Sequence, residues 1–362
     1  MSAGPRPLRV GLHLGYWAAG PPEGAAHAVE LADEAGLDSV WTAEAYGSDA
    51  FTPLAWWGSL TSRVRLGTGI AQLSARTPTA TAMAALTLDH LSGGRVVLGL
   101  GASGPQVVEG WYGRPYPRPL ERTREYVDIV RQVLRREGPV RAQGRHYRLP
   151  LDGEGTTGEG KALRATVHPR RPDLPIHLAA QGPRNVALAA EIADGWLPAF
   201  FSPRLDGWAR EQLARGFANR SPDLSPVQRF EVNASLPVAV GTDVESAADR
   251  VRPHLALYIG GMGSERSNFH REAVERLGYE AACAEVRRRW VAGDREGAAR
   301  AVPTELVLDV ALAGRPEQLR DQLATWRGTV VTGVLLQLPP AAVPAVVDAL
   351  AGRAVDGPAP AG

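Results

Sequence analysis

Cysteine is nearly absent from these 362 residues: Cys283 stands alone, so no internal disulfide can form and the chain reads as one from a reducing, cytoplasmic compartment. Its helical, Arg/Glu-rich surroundings predict a buried or inert thiol. Lysine is as scarce, with Lys161 the single example, which excludes lysine chemistry almost everywhere. An excess of either charge is also missing. The 40 basic and 39 acidic residues leave +1, no broad field for nucleic acid or an anionic membrane. The apolar start from Val10 to Ala19 is broken by Gly11, His13 and Gly15 and lacks the continuous core of a secretory signal. No stretch reaches the roughly 20 apolar residues of a membrane span. The histidines show no HExxH, HxH or Cys-paired spacing, so no metal is expected. Nor is there a G-x-S-x-G elbow: Ser103 stands in Gly101-Ala102-Ser103-Gly104, one residue short. What these absences leave is a globular protein acting on a small molecule.

What is present is alternation. Short apolar strands at Leu8–Leu14, Asp38–Ala43, Val64–Ala71 and Arg95–Gly101 are separated by amphipathic helices at Gly24–Ala35, Thr52–Thr61 and Pro78–Leu91. A long helix follows from Leu120 to Arg136. After it the pattern resumes with strands at Pro175–Ala180, Gly195–Ala199, Phe230–Val240 and Val330–Leu338, each with its helix. Strand–helix order of this kind builds a parallel sheet, and a count of eight is that of a (β/α)₈ TIM barrel. An open doubly wound sheet usually stops at five or six strands. The expected organisation is therefore a single barrel domain over 1–355. It carries a small β-prone, hairpin-like insertion at about 139–169, drawn from Arg145–Leu149 and Lys161–Val167. A helical insertion spans about 260–302, and 356–362 form a flexible tail.

Glycines stud two strand ends, Leu66-Gly67-Thr68-Gly69-Ile70 and Leu98-Gly99-Leu100-Gly101-Ala102-Ser103-Gly104. A glycine inside a strand gives up packing, so these runs point to a wall approached closely by a ring system or another backbone, or else to tight helix-on-strand packing. Gly99-x-Gly101-x-x-Gly104 formally matches the dinucleotide fingerprint, but it follows the fourth strand and Pro105 interrupts the turn, which argues against a Rossmann site. Ala179-Ala180-Gln181-Gly182-Pro183-Arg184-Asn185 is a better anion site: a strand ends, Gly182 permits close approach, Pro183 opens a helix and Arg184 offers a fork of donors. A plain helix start is the alternative there. Acidic and aromatic residues gather after the second strand, in Trp41-Thr42-Ala43-Glu44-Ala45-Tyr46, and after the fourth, in Glu109-Gly110-Trp111-Tyr112. Glu44 and Tyr112 can relay a proton, with Tyr46 a weaker candidate, and Trp111 or Trp56 can wall a pocket. Against these roles stand an ion pair of Glu44 with an arginine of the mouth, and core packing of Trp56 and Trp57.

Taken in order, Thr42-Ala43-Glu44-Ala45-Tyr46-Gly47, Gly67-Thr68-Gly69-Ile70, Ala75-Arg76-Thr77-Pro78, Leu88-Asp89-His90-Leu91-Ser92-Gly93-Gly94-Arg95 and Gly99 to Gln106 resemble the luciferase-like monooxygenase superfamily, most closely its actinobacterial F420-dependent oxidoreductases. Ala180 to Asn185, Ala193-Asp194-Gly195-Trp196, Tyr258 to Gly263, Asn268-Phe269 and Gly278-Tyr279 extend the likeness along nearly the whole chain. The resemblance implies a barrel that binds coenzyme F420, alternatively FMN, across its strand ends. It implies a cis peptide at Gly69–Ile70 against the ring, Ala102 and Ser103 near the cofactor tail, and Gly182, Pro183, Arg184 and Asn185 at its phosphate. The expected reaction is hydride transfer between the deazaflavin and a C=C, C=N or C=O group of a small molecule or modified peptide. An FMN-dependent monooxygenase and a non-catalytic, cofactor-binding or sensory barrel are the alternatives. A homodimer is possible within the superfamily. Where related deazaflavin enzymes often carry Asp-His after the second strand, this chain has Glu44-Ala45, and Tyr112 stands where a histidine is common, which leaves the proton donor open.

Overall fold

The computed structural model describes residues 7–263 and 268–351, so the expected tail at 356–362 lies outside the described residues. Eight parallel strands form the centre: β1 (Arg9–His13), β2 (Ser39–Thr42), β3 (Arg65–Thr68), β4 (Val96–Gly101), β5 (Ile176–Ala179), β6 (Gly195–Leu197), β7 (Glu231–Val240) and β8 (Gly333–Gln337). Each pairs with the next, and β8 pairs back onto β1, so the sheet closes into a barrel with no edge. The TIM-barrel expectation holds.

Side chains alternate along each strand. Those pointing outward, such as Leu12, Val40, Leu66, Leu98, Leu178 and Leu236, pack under the helices in the main core. Inside, Trp41, Val97, Leu197 and Leu335 make one layer, contributed by β2, β4, β6 and β8, and Ile70 and Ala179 rest on it. Alternate strands filling one level is the packing a closed eight-stranded barrel imposes. Below lies a charged floor: Glu231 accepts from Arg9 at 2.7 Å and from Arg65 at 3.1 Å, and Arg65 also reaches Asp38 at 2.5 Å. The closed interior leaves only the carboxyl end of the strands open for chemistry.

Three local expectations are corrected. In the insertion, Arg148–Leu149 pairs with Ala142–Gln143, while Lys161–Val167 forms no strand. A six-residue helix, Pro105–Gly110, opens directly after Gly104; proline at a first helical position starts a turn rather than interrupting it. The dinucleotide reading still fails, because the strand belongs to a barrel. A short strand at Leu312–Gly314, which the strand pattern of the sequence does not mark out, lengthens the sheet beside β7; it directly follows the apolar end of the helix Thr304–Val310. Cys283 is buried as expected, and burial pushes its thiol up to about 12.

Candidate active site

At the carboxyl rim the chain turns sharply after β3. The Gly69–Ile70 bond is cis, and both of its flanks are tied down: Gly69 N–H donates to Thr42 O at 2.6 Å, and Ile70 O accepts from Glu44 N–H at 3.0 Å. The glycines near it permit the close approach expected of a ring or another backbone, and the approaching groups are the barrel's own. A Cβ on Gly67 would overlap the Trp41 indole, one on Gly99 would overlap the Thr68 carbonyl, and one on Gly101 would lie 2.8 Å from Ile70 Cδ1. They make room for the barrel's own interior.

His13, at the end of β1, anchors this turn. Its Nδ1 accepts from Gly15 N–H at 3.2 Å, which places the ring proton on Nε2, and Nε2 donates to Gly69 O at 2.9 Å. Burial lowers its pKa, so the ring is neutral.

Glu44 follows β2 and is buried. Both of its carboxylate oxygens accept from Arg76 Nη1, at 2.8 and 2.9 Å, and Oε2 also accepts from Gln72 N–H at 2.9 Å. The alternative of an ion pair with a mouth arginine is therefore realised, and Arg76 reaches Asp49 as well, at 3.5 Å. Tyr112 lies close by: its hydroxyl donates to Ala45 O at 3.0 Å, and burial followed by the Glu44 charge raises its pKa. Tyr46 is half exposed, its ring tilted against Tyr16 with centroids 6.2 Å apart. Trp57 packs in the core as expected, whereas Trp56, 73% exposed, does not; Trp111 is exposed too.

Ala102 and Ser103 leave β4, Ser103 with a left-handed φ of 56° and its carbonyl accepting from Tyr116 at 3.0 Å. From β5 the chain reaches Gly182, which caps the helix Pro183–Ile192. Nothing lies within 4 Å of where a Gly182 Cβ would sit, and no hydrogen bond or ion pair engages the Arg184 guanidinium. β4 and β5 are neighbours, so these two loops share one side of the mouth.

Sequence reasoning missed the opposite side. Phe200, just beyond β6 with φ of 52°, meets His254, Tyr258 and His270, its ring centroid 6.2, 5.2 and 5.6 Å from theirs. His254 is within electrostatic reach of His13, and Tyr258 of Tyr16 and Tyr46, which sets this group over the ends of β1 and β2. Single histidines far apart in sequence carry no spacing signal; the cue was that they lie in or beside the family-like stretch from Tyr258 through Asn268-Phe269 to Gly278-Tyr279.

The chain's likeness to known proteins agrees with this geometry. Residues 9–333 match the model of the luciferase-like monooxygenase family. A Mycobacterium tuberculosis protein named "Putative coenzyme F420-dependent oxidoreductase" is 57% identical over 325 residues, covering 90% of this chain and 93% of that one. The 5,10-methylenetetrahydromethanopterin reductase of Archaeoglobus fulgidus is 28% identical over 312 residues, 86% of this chain and 88% of its own. Among solved structures, the coenzyme F420-dependent tetrahydromethanopterin reductase of Methanopyrus kandleri superposes with a TM-score of 0.78 at 23% identity, covering 95% of this chain and 99% of that one. An F420-dependent secondary alcohol dehydrogenase bound to an F420–acetone adduct gives 0.73 at 15%, covering 94% and 97%. At these identities the two structures speak for the fold.

Proposed function

This chain belongs to the luciferase-like monooxygenase family, and we propose that within it the protein is an oxidoreductase that uses coenzyme F420 for hydride transfer to or from a small molecule. The observation that carries the cofactor is the 57% identity, along nine-tenths of the chain, to a relative named for F420. The residues fit such a group. Gly182 leaves open space at a helix start, and Arg184 beside it has no partner, so the pair can receive a phosphate. Pro183 and Asn185 shape that turn, while Ala102 and Ser103 border it from the neighbouring loop. The turn at Gly69 and Ile70, pinned from His13, Thr42 and Glu44, offers a fixed platform for a flat ring. When bound, the deazaflavin supplies the hydride chemistry; the protein orients it and handles the proton.

Glu44 and Tyr112, both fully engaged, are assigned positioning roles: Glu44 holds Arg76 and the Gln72 main chain, and Tyr112 ties its loop to Ala45. Tyr46, half exposed beside Tyr16, lines the substrate side by this reading. The substrate is a small molecule by this reading, and none of the described helices is long and apolar enough to cross a membrane.

Anaerobic assay with F420 and a panel of carbonyl and alcohol compounds tests the proposal. Turnover of F420 with no need for oxygen is expected. Oxygen consumption with reduced FMN, together with silence toward F420, would assign the protein to the monooxygenases instead.

A further inference from the structure

A proton must travel with the hydride, and most titratable groups at the mouth are already committed. His13 has both nitrogens hydrogen-bonded, Glu44 is held by Arg76 and Gln72, and Tyr112 donates to Ala45. His254 is different. Neither of its ring nitrogens is enclosed in the protein, and neither makes a hydrogen bond. His270 has Nε2 equally open, while its Nδ1 is enclosed without a partner.

These two imidazoles are placed by deliberate local structure. The helix Val244–Ala256, which carries His254, runs on as a π turn over Leu257–Gly261. Asn268 Nδ2 donates to Tyr258 O at 3.0 Å and Ile259 O at 3.1 Å, while its Oδ1 accepts from His270 and Arg271 N–H, both at 3.0 Å. One side chain thus caps the helix Phe269–Glu275 and fixes His270 against Tyr258, ring centroids 4.8 Å apart. Tyr258 stands 4.8 Å from His254, and the left-handed Phe200 closes the group. Phe269 lies near Gly104, beyond β4, and His254 lies near His13 of β1, so these described residues stand on both sides of the mouth. π turns and left-handed non-glycine residues concentrate at working sites.

We propose that Phe200, His254, Tyr258 and His270 form the substrate wall, that it takes an uncharged hydroxy or oxo compound whose apolar part lies among the rings, and that His254 exchanges the substrate proton. The inference rests on the oxidoreductase reading above. Among the described residues, no arginine or lysine stacks on the Phe200 or Tyr258 ring to pair a carboxylate or phosphate there. Burial, and then His13, brings His254 down to about 4; burial, and then His254, brings His270 down to about 3. Both rings are neutral at pH 7, as an uncharged guest requires. In the oxidative direction His254 would take the O–H proton of a carbinol as its C–O bond becomes C=O, and a bound oxidised deazaflavin would supply the acceptor for the C–H hydride, so that proton and electron pair are both accounted for. Reduction returns both.

The test compares 1-phenylethanol with mandelate, which carries a carboxylate in place of the methyl group. In wild-type protein with ¹⁵N-labelled histidine, 1-phenylethanol is expected to shift the ring signals of His254 and His270, and mandelate to leave them in place. His254→Gln, with His254→Asn as a second variant, should lower turnover of 1-phenylethanol about 100-fold and leave F420 affinity unchanged. Equal shifts by both compounds, shifts by neither, no wild-type turnover of 1-phenylethanol with F420 bound, or wild-type turnover in the variants would overturn the proposal. Failure of wild-type protein to bind F420 strikes the oxidoreductase reading instead, and the histidine shifts still judge the wall.

Discussion

Four histidines in this protein are held neutral by burial: His13, whose pKa is lowered, and three more. His177 is brought down to about 4 by burial against the opposing pull of Glu231, His254 to about 4 and His270 to about 3. An unfolded histidine titrates near 6.5. Between pH 6.5 and these values the unfolded chain binds protons that the folded one refuses, so stability is full above pH 6.5 and drains away as the solution is acidified. Glu231, lowered to about 2 as its cationic neighbours outweigh burial, adds to the loss below pH 4.5. The melting temperature should therefore fall steadily from pH 7 to pH 4. A melting temperature that held or rose over that range would contradict the burial of these rings. Glu44 was singled out after β2 both as a candidate for proton handling and as an ion-pair partner, and the structure shows the ion pair. Arg76 could not be named, because the two residues, 32 apart in sequence, meet only when β2 and β3 lie side by side.

Strands and helices were legible to within a few residues, since each barrel strand is a short apolar run bounded by an amphipathic helix. The helix Pro78–Leu91, with Thr77 accepting from Ala80 N–H as its cap, matches the expected limits. The insertion was harder: two-residue strands give no periodicity to detect, and the Gly-rich 153–160 segment between the expected strands takes turns instead. The glycines were read as points of close approach by a ring or another backbone, which they are; sequence shows that space is needed and not which group fills it. Gly99 illustrates the point. A methyl group there would meet the Thr68 carbonyl and Leu197 inside a closed barrel. Gly99→Ala should cost about 3 kcal/mol in denaturant unfolding, with no ligand present. A neutral outcome would return the position to a ligand-facing role.

At the scale of the whole molecule, closure of eight strands over a charged floor directs all open chemistry to one rim. One side of that rim gathers Ser103, Gly182 and Arg184; the other gathers Phe200, His254, Tyr258 and His270; the pinned turn at Gly69–Ile70 lies with His13 between. The first side was read from local signals, a glycine, a proline and an arginine in a row. The second depends on a long excursion folding back across the mouth, and nothing in the sequence between β7 and β8 states where it lands. Fluorescence titration of the purified protein with F420 and, separately, with FMN tests the central claim most directly. Saturable binding of F420 at least about tenfold tighter than FMN, a difference near 1.4 kcal/mol, is predicted. Tighter binding of FMN, or no binding of F420, would contradict it.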